Sequence, residues 1–210
     1  MNFRTAFLTL ALALPALAGA QSRFTEGQQY SRIDPPQPTH VAEGKIEVVE
    51  IFSYACVHCA TFEPHIAAWK KQMPENAQFR GLPAVFSPAW EPYARAYFAA
   101  ESLKVLDKVH EPLFKALHEE RRPLRTVEEI ADFAAEKGVD RAQFLEVANA
   151  SSTTLKLNRA REQAMRYGIQ GTPSMVVNGK YLVEAGKSGG FQGMIEVVNF
   201  LVAQEAEAAK

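Results

Sequence analysis

Apolar positions along this chain change period several times, and each change marks an element. Lys45 to Tyr54 (KIEVVEIFSY) places Val48, Val49, Ile51 and Phe52 in a nearly continuous β-favouring run, which predicts a central strand covered on both faces. Glu50 stands inside that run. From Ala60 to Gln72 the spacing becomes helical, with Phe62, Ile66 and Trp69 on one face. Pro64 is expected to bend this helix, since it cannot donate to the carbonyl of Ala60. Ala77 to Phe86 reads as a second strand, weakened by Gly81 and Pro83. Gln28 to Ile33 reads as a short edge strand, and the Asp34 to Pro38 stretch (DPPQP) excludes helix.

From Pro88 to Gly168 the pattern is helical throughout. Val127, Ile130, Ala131, Phe133 and Ala134 form one stripe, opened by a Thr126–Glu129 capping box and ended by Gly138. Asp140 opens the next helix, and Leu157, Ala160, Ala164 and Tyr167 mark a longer one. The chain then returns to strand. SMVV and KYLV flank Asn178-Gly179, whose residues tolerate positive φ, the strongest short hairpin signal. Phe191, Met194, Ile195, Val198 and Leu201 define an amphipathic C-terminal helix. The order strand–helix–strand, helical block, strand–strand–helix predicts an α/β fold. Its mixed sheet should combine a right-handed parallel crossover with an antiparallel hairpin. The division expected is 21–87 with 169–210 as one discontinuous domain, and 88–168 as an inserted all-helical domain.

Residues 1–20 stand apart. A basic start at Arg4, an apolar run and Ala18-Gly19-Ala20 read as a secretory signal peptide, cleaved near Ala20/Gln21. The run is short for a bilayer span, and no later stretch is apolar enough to cross one. Removing these residues, which carry one arginine and no acid, leaves a net charge of −2. Nothing in this balance suggests nucleic acid as a partner, which would need a basic face. An apolar content of 47% is enough for a real core. The mature protein is expected to be soluble and exported.

Export sharpens the reading of the two cysteines, Cys56 and Cys59, which are the only ones in the chain. Outside the cytosol disulfides persist. A bridge across three positions closes almost no chain, however, and restrains the unfolded state little. A structural staple therefore explains the pair poorly. A metal site could recruit His58 and His65, but no second Cys-x-x-Cys or His pair completes a tetrahedral set. Redox chemistry suits the position. At a strand–helix junction Cys56 meets free N–H groups and the positive end of the helix dipole, which stabilise a thiolate. Cys59 is placed to resolve a mixed disulfide on Cys56. His58, protonated or donating a hydrogen bond, would stabilise the thiolate further and make the disulfide more oxidising. A second feature is Gly171-Thr172-Pro173, directly before the hairpin. By itself it leaves the Thr172–Pro173 bond open between cis and trans.

The stretches VVEIFSYACVHCATFEP and GTPSMVVNGKY, with an exported chain and a helical block between them, resemble the DsbA family of periplasmic thiol:disulfide oxidoreductases. The resemblance covers nearly all of the mature chain. It implies a thioredoxin-like fold with an inserted helical domain. It also implies Cys56 as the exposed nucleophile, Cys59 as its buried partner, and Val57 and His58 as the dipeptide that tunes the potential. Gly171, Thr172 and Pro173 become a loop facing the disulfide, with Pro173 cis and the Thr172 backbone free to pair with an extended substrate. Glu50 becomes a buried acid near Cys59 that assists proton transfer. A depressed cysteine pKa and a strongly oxidising pair are properties of that family. Two departures stand out. Val57 replaces the proline of the best-known members, and a lysine that partners the buried acid in some members has no clear match; the nearby strand offers Arg80 next to Gly81, whose direction strand phase leaves open.

The function expected is a periplasmic oxidase that donates its Cys56–Cys59 disulfide to unfolded exported proteins. It should need no metal or organic cofactor. Reoxidation by a DsbB-type, quinone-linked membrane oxidase is implied by the resemblance. No dimerisation module is visible between Gln21 and Gly44, so a monomer is expected. Two alternatives remain at this point: a reductase or isomerase of the same fold, and a chaperone or metal carrier whose thiols are ligands or bystanders.

Overall fold

The structure is a computed structural model and describes residues 23–209. The expected signal peptide, residues 1–20, lies outside the described residues. The strands are β1 (Ser31–Arg32), β2 (Ile46–Phe52), β3 (Ala77–Pro83), β4 (Ser174–Val177) and β5 (Tyr181–Glu184). They form one mixed sheet in the order β1-β5-β4-β2-β3. β2 and β3 run parallel, from Ile46 beside Ala77 to Phe52 beside Pro83. β4 lies antiparallel on the other side of β2, and β5 and β1 continue antiparallel outward. All seven residues of β2 are buried, Glu47 and Glu50 included, as a strand covered on both faces requires. β1 occupies the edge, where a two-residue strand leaves few unpaired backbone groups.

The turn between β4 and β5 has both residues in the left-handed region, Asn178 at φ 53° and Gly179 at φ 64°. Glycine is required at the second position for a further reason. A Cβ there would stand 2.1 Å from the carbonyl oxygen of Gln37. Gly81, which weakens the strand signal of β3, has a packing role. A Cβ at that position would lie 2.6 Å from the Tyr97 hydroxyl oxygen, so the missing side chain is the seat of an aromatic ring.

Helix α1 (Val57–Lys70) follows β2. It begins three residues earlier than its apolar spacing predicts, because Cys56 is its N-cap and no capping side chain marks the start. A short 3₁₀ turn (Pro88–Trp90) leads into α2 (Glu91–Ser102), α3 (Leu106–His118), α4 (Val127–Glu136), α5 (Arg141–Asn149) and α6 (Ser151–Arg166). The capping box at Thr126 and Glu129 is formed, and the Asp140 side chain accepts a bond from the Gln143 N–H at 2.7 Å. After β5 come α7 (Ala185–Ser188) and α8 (Phe191–Ala208).

Strand alternation in β2 sends its side chains into two cores. Val49 and Ile51 join the side chains of the helical block, among them Leu113, Ile130 and Phe144. Val48 joins Phe62, Ile66 and Trp69 of α1 and Met194, Val198 and Leu201 of α8. The sheet is thus covered on both faces, and its central strand delivers the chain into α1 with Cys59 buried at the boundary.

The Gly81 packing makes a test. Gly81→Ala should cost about 1–3 kcal/mol in urea denaturation, as overpacked cores do. In a Tyr97→Phe background, which lacks the clashing hydroxyl, the cost should fall. An equal cost in both backgrounds would contradict the packing account.

Candidate active site

The end of β2 and the first turn of α1 set the site. Cys56 has extended backbone angles, φ −92° and ψ 116°, as an N-cap does. Its own N–H donates to the Ser53 carbonyl at 3.0 Å, and its carbonyl accepts from the Ala60 N–H at 3.1 Å. These two bonds fix the sulfur beside the free amides of the first turn. No acidic side chain occupies that turn to oppose an anion. Both cysteines are free thiols here, Cys56 half-buried and Cys59 fully buried.

The two sulfurs are electrostatically unequal. The Cys56 thiol is held down to about 5, first by a hydrogen bond from Cys59. The Thr172 side chain and the backbone N–H groups of Cys59 and His58 act in the same direction, while partial burial opposes them. The Cys59 thiol is pushed far up, chiefly by burial and then by its bond to Cys56. Cys59 therefore keeps its proton and offers it to the Cys56 thiolate. In the protonated form Cys56 Sγ donates to the Thr172 carbonyl at 3.4 Å. Ionisation gives up that contact and gains the N–H donors.

The predicted companions divide by contact. Val57 is 58% exposed and His58 is exposed, so the intervening dipeptide faces solvent. His58 acts on the thiolate through its backbone N–H, and its imidazole lines a shallow cavity of about 320 Å³ with Thr172, Pro173 and Phe191. The Thr172–Pro173 bond is cis. Gly171 precedes it and accepts a hydrogen bond from the Ser174 hydroxyl at 2.8 Å. The ladder begins at Ser174, so Thr172 stands just outside it, across from Cys56.

Glu50 is buried in β2, and its carboxyl is pushed up to about 8, first by burial and then by Glu63, with Lys70 opposing. Its charged neighbours are thus Glu63 and Lys70. Arg80 turns to Glu47, donating from Nε at 2.7 Å, because the register sets Arg80 beside Val49 and Gly81 beside Glu50.

Several residues of the site escaped the sequence reading. Glu63 is buried four residues after Cys59, so both sit on the same inner face of α1. The 59-62-63-66 spacing carried that signal. His110 of α3 stands 3.4 Å from Glu63 through Nε2 and shares a 2.6 Å hydrogen bond with the Tyr54 hydroxyl through Nδ1. Only the fold brings it there. Ser53 accepts from the Cys56 N–H and also lowers the Cys59 thiol. Among the described residues no group of three or more His, Cys, Asp or Glu side chains is placed to hold a metal ion.

Comparison with known proteins agrees with this geometry. The family model of the DSBA-like thioredoxin domain matches residues 63–195. The thiol:disulfide interchange protein DsbA of Pseudomonas aeruginosa is 39% identical over 210 residues, covering 99% of both chains. The chain belongs to the DsbA family. The DsbA of Azotobacter vinelandii is 37% identical, over 94% of this chain and 98% of that one. The crystal structure of P. aeruginosa DsbA superposes with a TM-score of 0.84 at 39% identity, covering 89% of this chain and 96% of that chain. The fold is accordingly the thioredoxin-like DsbA fold, and the protein is a thiol:disulfide oxidoreductase.

Two pH experiments follow for this DsbA-family chain. Thiolate absorbance of the reduced protein should titrate with a midpoint near 5, and Thr172→Val should raise it. A depressed thiol stabilises the fold above the unfolded pKa and loses that contribution as pH falls through the folded one. Reduced protein should therefore gain stability as pH rises from about 5 toward the ordinary thiol value of 9.0. Glu50 has the opposite sign, because its raised carboxyl makes ionisation costly in the fold. Relative to Glu50→Gln, the native chain should lose on the order of a few kcal/mol between pH 4.5 and about 8. A parallel pH profile for both chains would remove the buried acid from the account.

Proposed function

We propose that this chain is a dithiol oxidase that passes its Cys56–Cys59 disulfide to unfolded exported proteins. The observation that supports this direction is the inequality of the two sulfurs. A stabilised Cys56 thiolate stabilises the reduced pair, and that makes the disulfide a stronger oxidant. A substrate thiolate attacks Sγ of Cys56, and the S–S electron pair leaves on Cys59, which takes up a proton. A second substrate thiolate then attacks the substrate sulfur of the mixed disulfide. Cys56 leaves as the low-pKa thiolate, and the substrate keeps the new disulfide. Two electrons pass from the substrate thiols to the cysteine pair.

Cys59 needs a proton donor on reduction and an acceptor on reoxidation. Glu50 fills that role in our reading, with Glu63 one turn along α1 as the link toward Cys59. Val57, His58, Gly171, Thr172 and Pro173 form the surface that meets the substrate. An extended segment pairs with the Thr172 backbone, which stands just outside the ladder, and apolar side chains rest in the shallow cavity lined by Pro173 and Phe191, which gives broad specificity. The chemistry requires only the cysteine pair.

Residues 1–20 direct the chain to the periplasm, where the protein acts as a monomer with residues 88–168 as an inserted helical domain. A stoichiometric oxidant needs regeneration, and a DsbB-type, quinone-linked membrane oxidase is the partner that the family relationship supports. The DsbA relatives do not favour the reductase or isomerase alternative.

Oxidised protein mixed with a reduced, unfolded two-thiol peptide should transfer its disulfide within the dead time of manual mixing. Cys56→Ala should abolish transfer, and Glu50→Gln should slow it several-fold while leaving the far-ultraviolet spectrum intact. Transfer that persists without Cys56 would refute the oxidase reading. An equilibrium lying toward the reduced peptide would refute its direction.

A further inference from the structure

A cavity of about 460 Å³ lies where β2, β3, α1, α2 and α3 meet. Glu50 and Glu63 line it, and each is more than nine-tenths buried. Glu50 Oε1 and Glu63 Oε2 have no hydrogen-bond partner among the described residues. A buried acid left without a partner is costly in either protonation state, and proteins ordinarily satisfy it with a donor or, when it ionises, a cation. No lysine or arginine forms an ion pair with Glu50 or Glu63 among the described residues, although Lys70 is close enough to act on Glu50 through charge. Arg80 Nε is held by Glu47 at 2.7 Å, and Lys70 Nζ lies 5.0 Å from the centre of the Phe79 ring. His110 Nε2 approaches Glu63 to 3.4 Å without forming a hydrogen bond. At the rim, Asp107 and Glu111 are exposed and make no ion pair among the described residues.

We propose that this cavity binds a small organic cation, with an amidinium, guanidinium or ammonium head between Glu50 and Glu63 and a carbon body against Phe52, Phe79 and Tyr97. The volume falls in the range of small-molecule sites. Aromatic walls beside buried acids suit a cation that has an apolar body, through ring faces as well as charge. A bare metal ion fits less well, since the described residues offer no cluster of three or more ligating side chains. An anion would meet two acid oxygens that lack partners among the described residues and would oppose the ionisation of either acid. The same two acids serve Cys59 in the oxidase reading, but ligand binding involves no thiol exchange, so its failure would leave that reading untouched.

Amide NMR of the full reduced protein tests it, with benzamidinium as the probe and neutral benzamide as its isostere. Benzamidinium should produce saturable shifts at Phe79, Gly81 and His110. Benzamide should bind about tenfold more weakly or not at all. Glu50→Gln and Glu63→Gln should each weaken benzamidinium about tenfold. Should one variant fail to fold, the other variant and the neutral probe still decide. Equal binding of the two probes, an absence of saturable shifts in the millimolar range, or undiminished affinity in a folded variant would overturn the proposal.

Discussion

A thiol whose ionisation burial opposes donates a hydrogen bond to a sulfur that ionises readily, and the two are three residues apart. That bond is the first cause of the depressed Cys56 thiol, and burial of its donor is the first cause of the raised Cys59 thiol. The asymmetry is a property of place. Cys56 stands at an N-cap among unsatisfied amides, whereas Cys59 faces the core one turn in. Identical side chains in identical solvent would titrate together.

The remainder of the fold holds those two places fixed. β2, paired on both sides and buried along its length, delivers the chain to the N-cap at a set height above the sheet. β4 carries the Thr172 loop to the facing position, so a non-local contact 116 residues away in sequence closes over Cys56. Edge-on and tilted packing of Phe52, Tyr54, Tyr97, His110 and Phe114 joins the helical block to the strand end. Tyr54 is tied twice, by its hydroxyl to His110 and by its carbonyl to His118. The loop that presents the nucleophile is thereby anchored to α3.

Much of this was legible in the sequence where the signal is local. The apolar run of β2, the Asn178-Gly179 turn, the Thr126 capping box and the Asp140 cap each act through neighbours in the chain, and each was read from residue type and spacing. The Cys-x-x-Cys at a strand–helix junction was equally local. Non-local features were harder. The direction of Arg80 toward Glu47 depends on the β2–β3 register, which a strand pattern alone leaves open. Glu63 was passed over although its spacing from Cys59 marked it, because a glutamate on a helix is ordinarily solvated. His110 carries no local mark, since only the packing of α3 on α1 makes it a neighbour of Glu63.

The central claim is that the folded chain prefers its reduced, thiolate form. It is tested most directly by comparing the unfolding free energies of oxidised and reduced protein at neutral pH. The account predicts that the reduced protein is the more stable of the two, because a bridge across three positions restrains little and the thiolate is stabilised by its surroundings. An oxidised protein as stable as the reduced one, or more so, would contradict it.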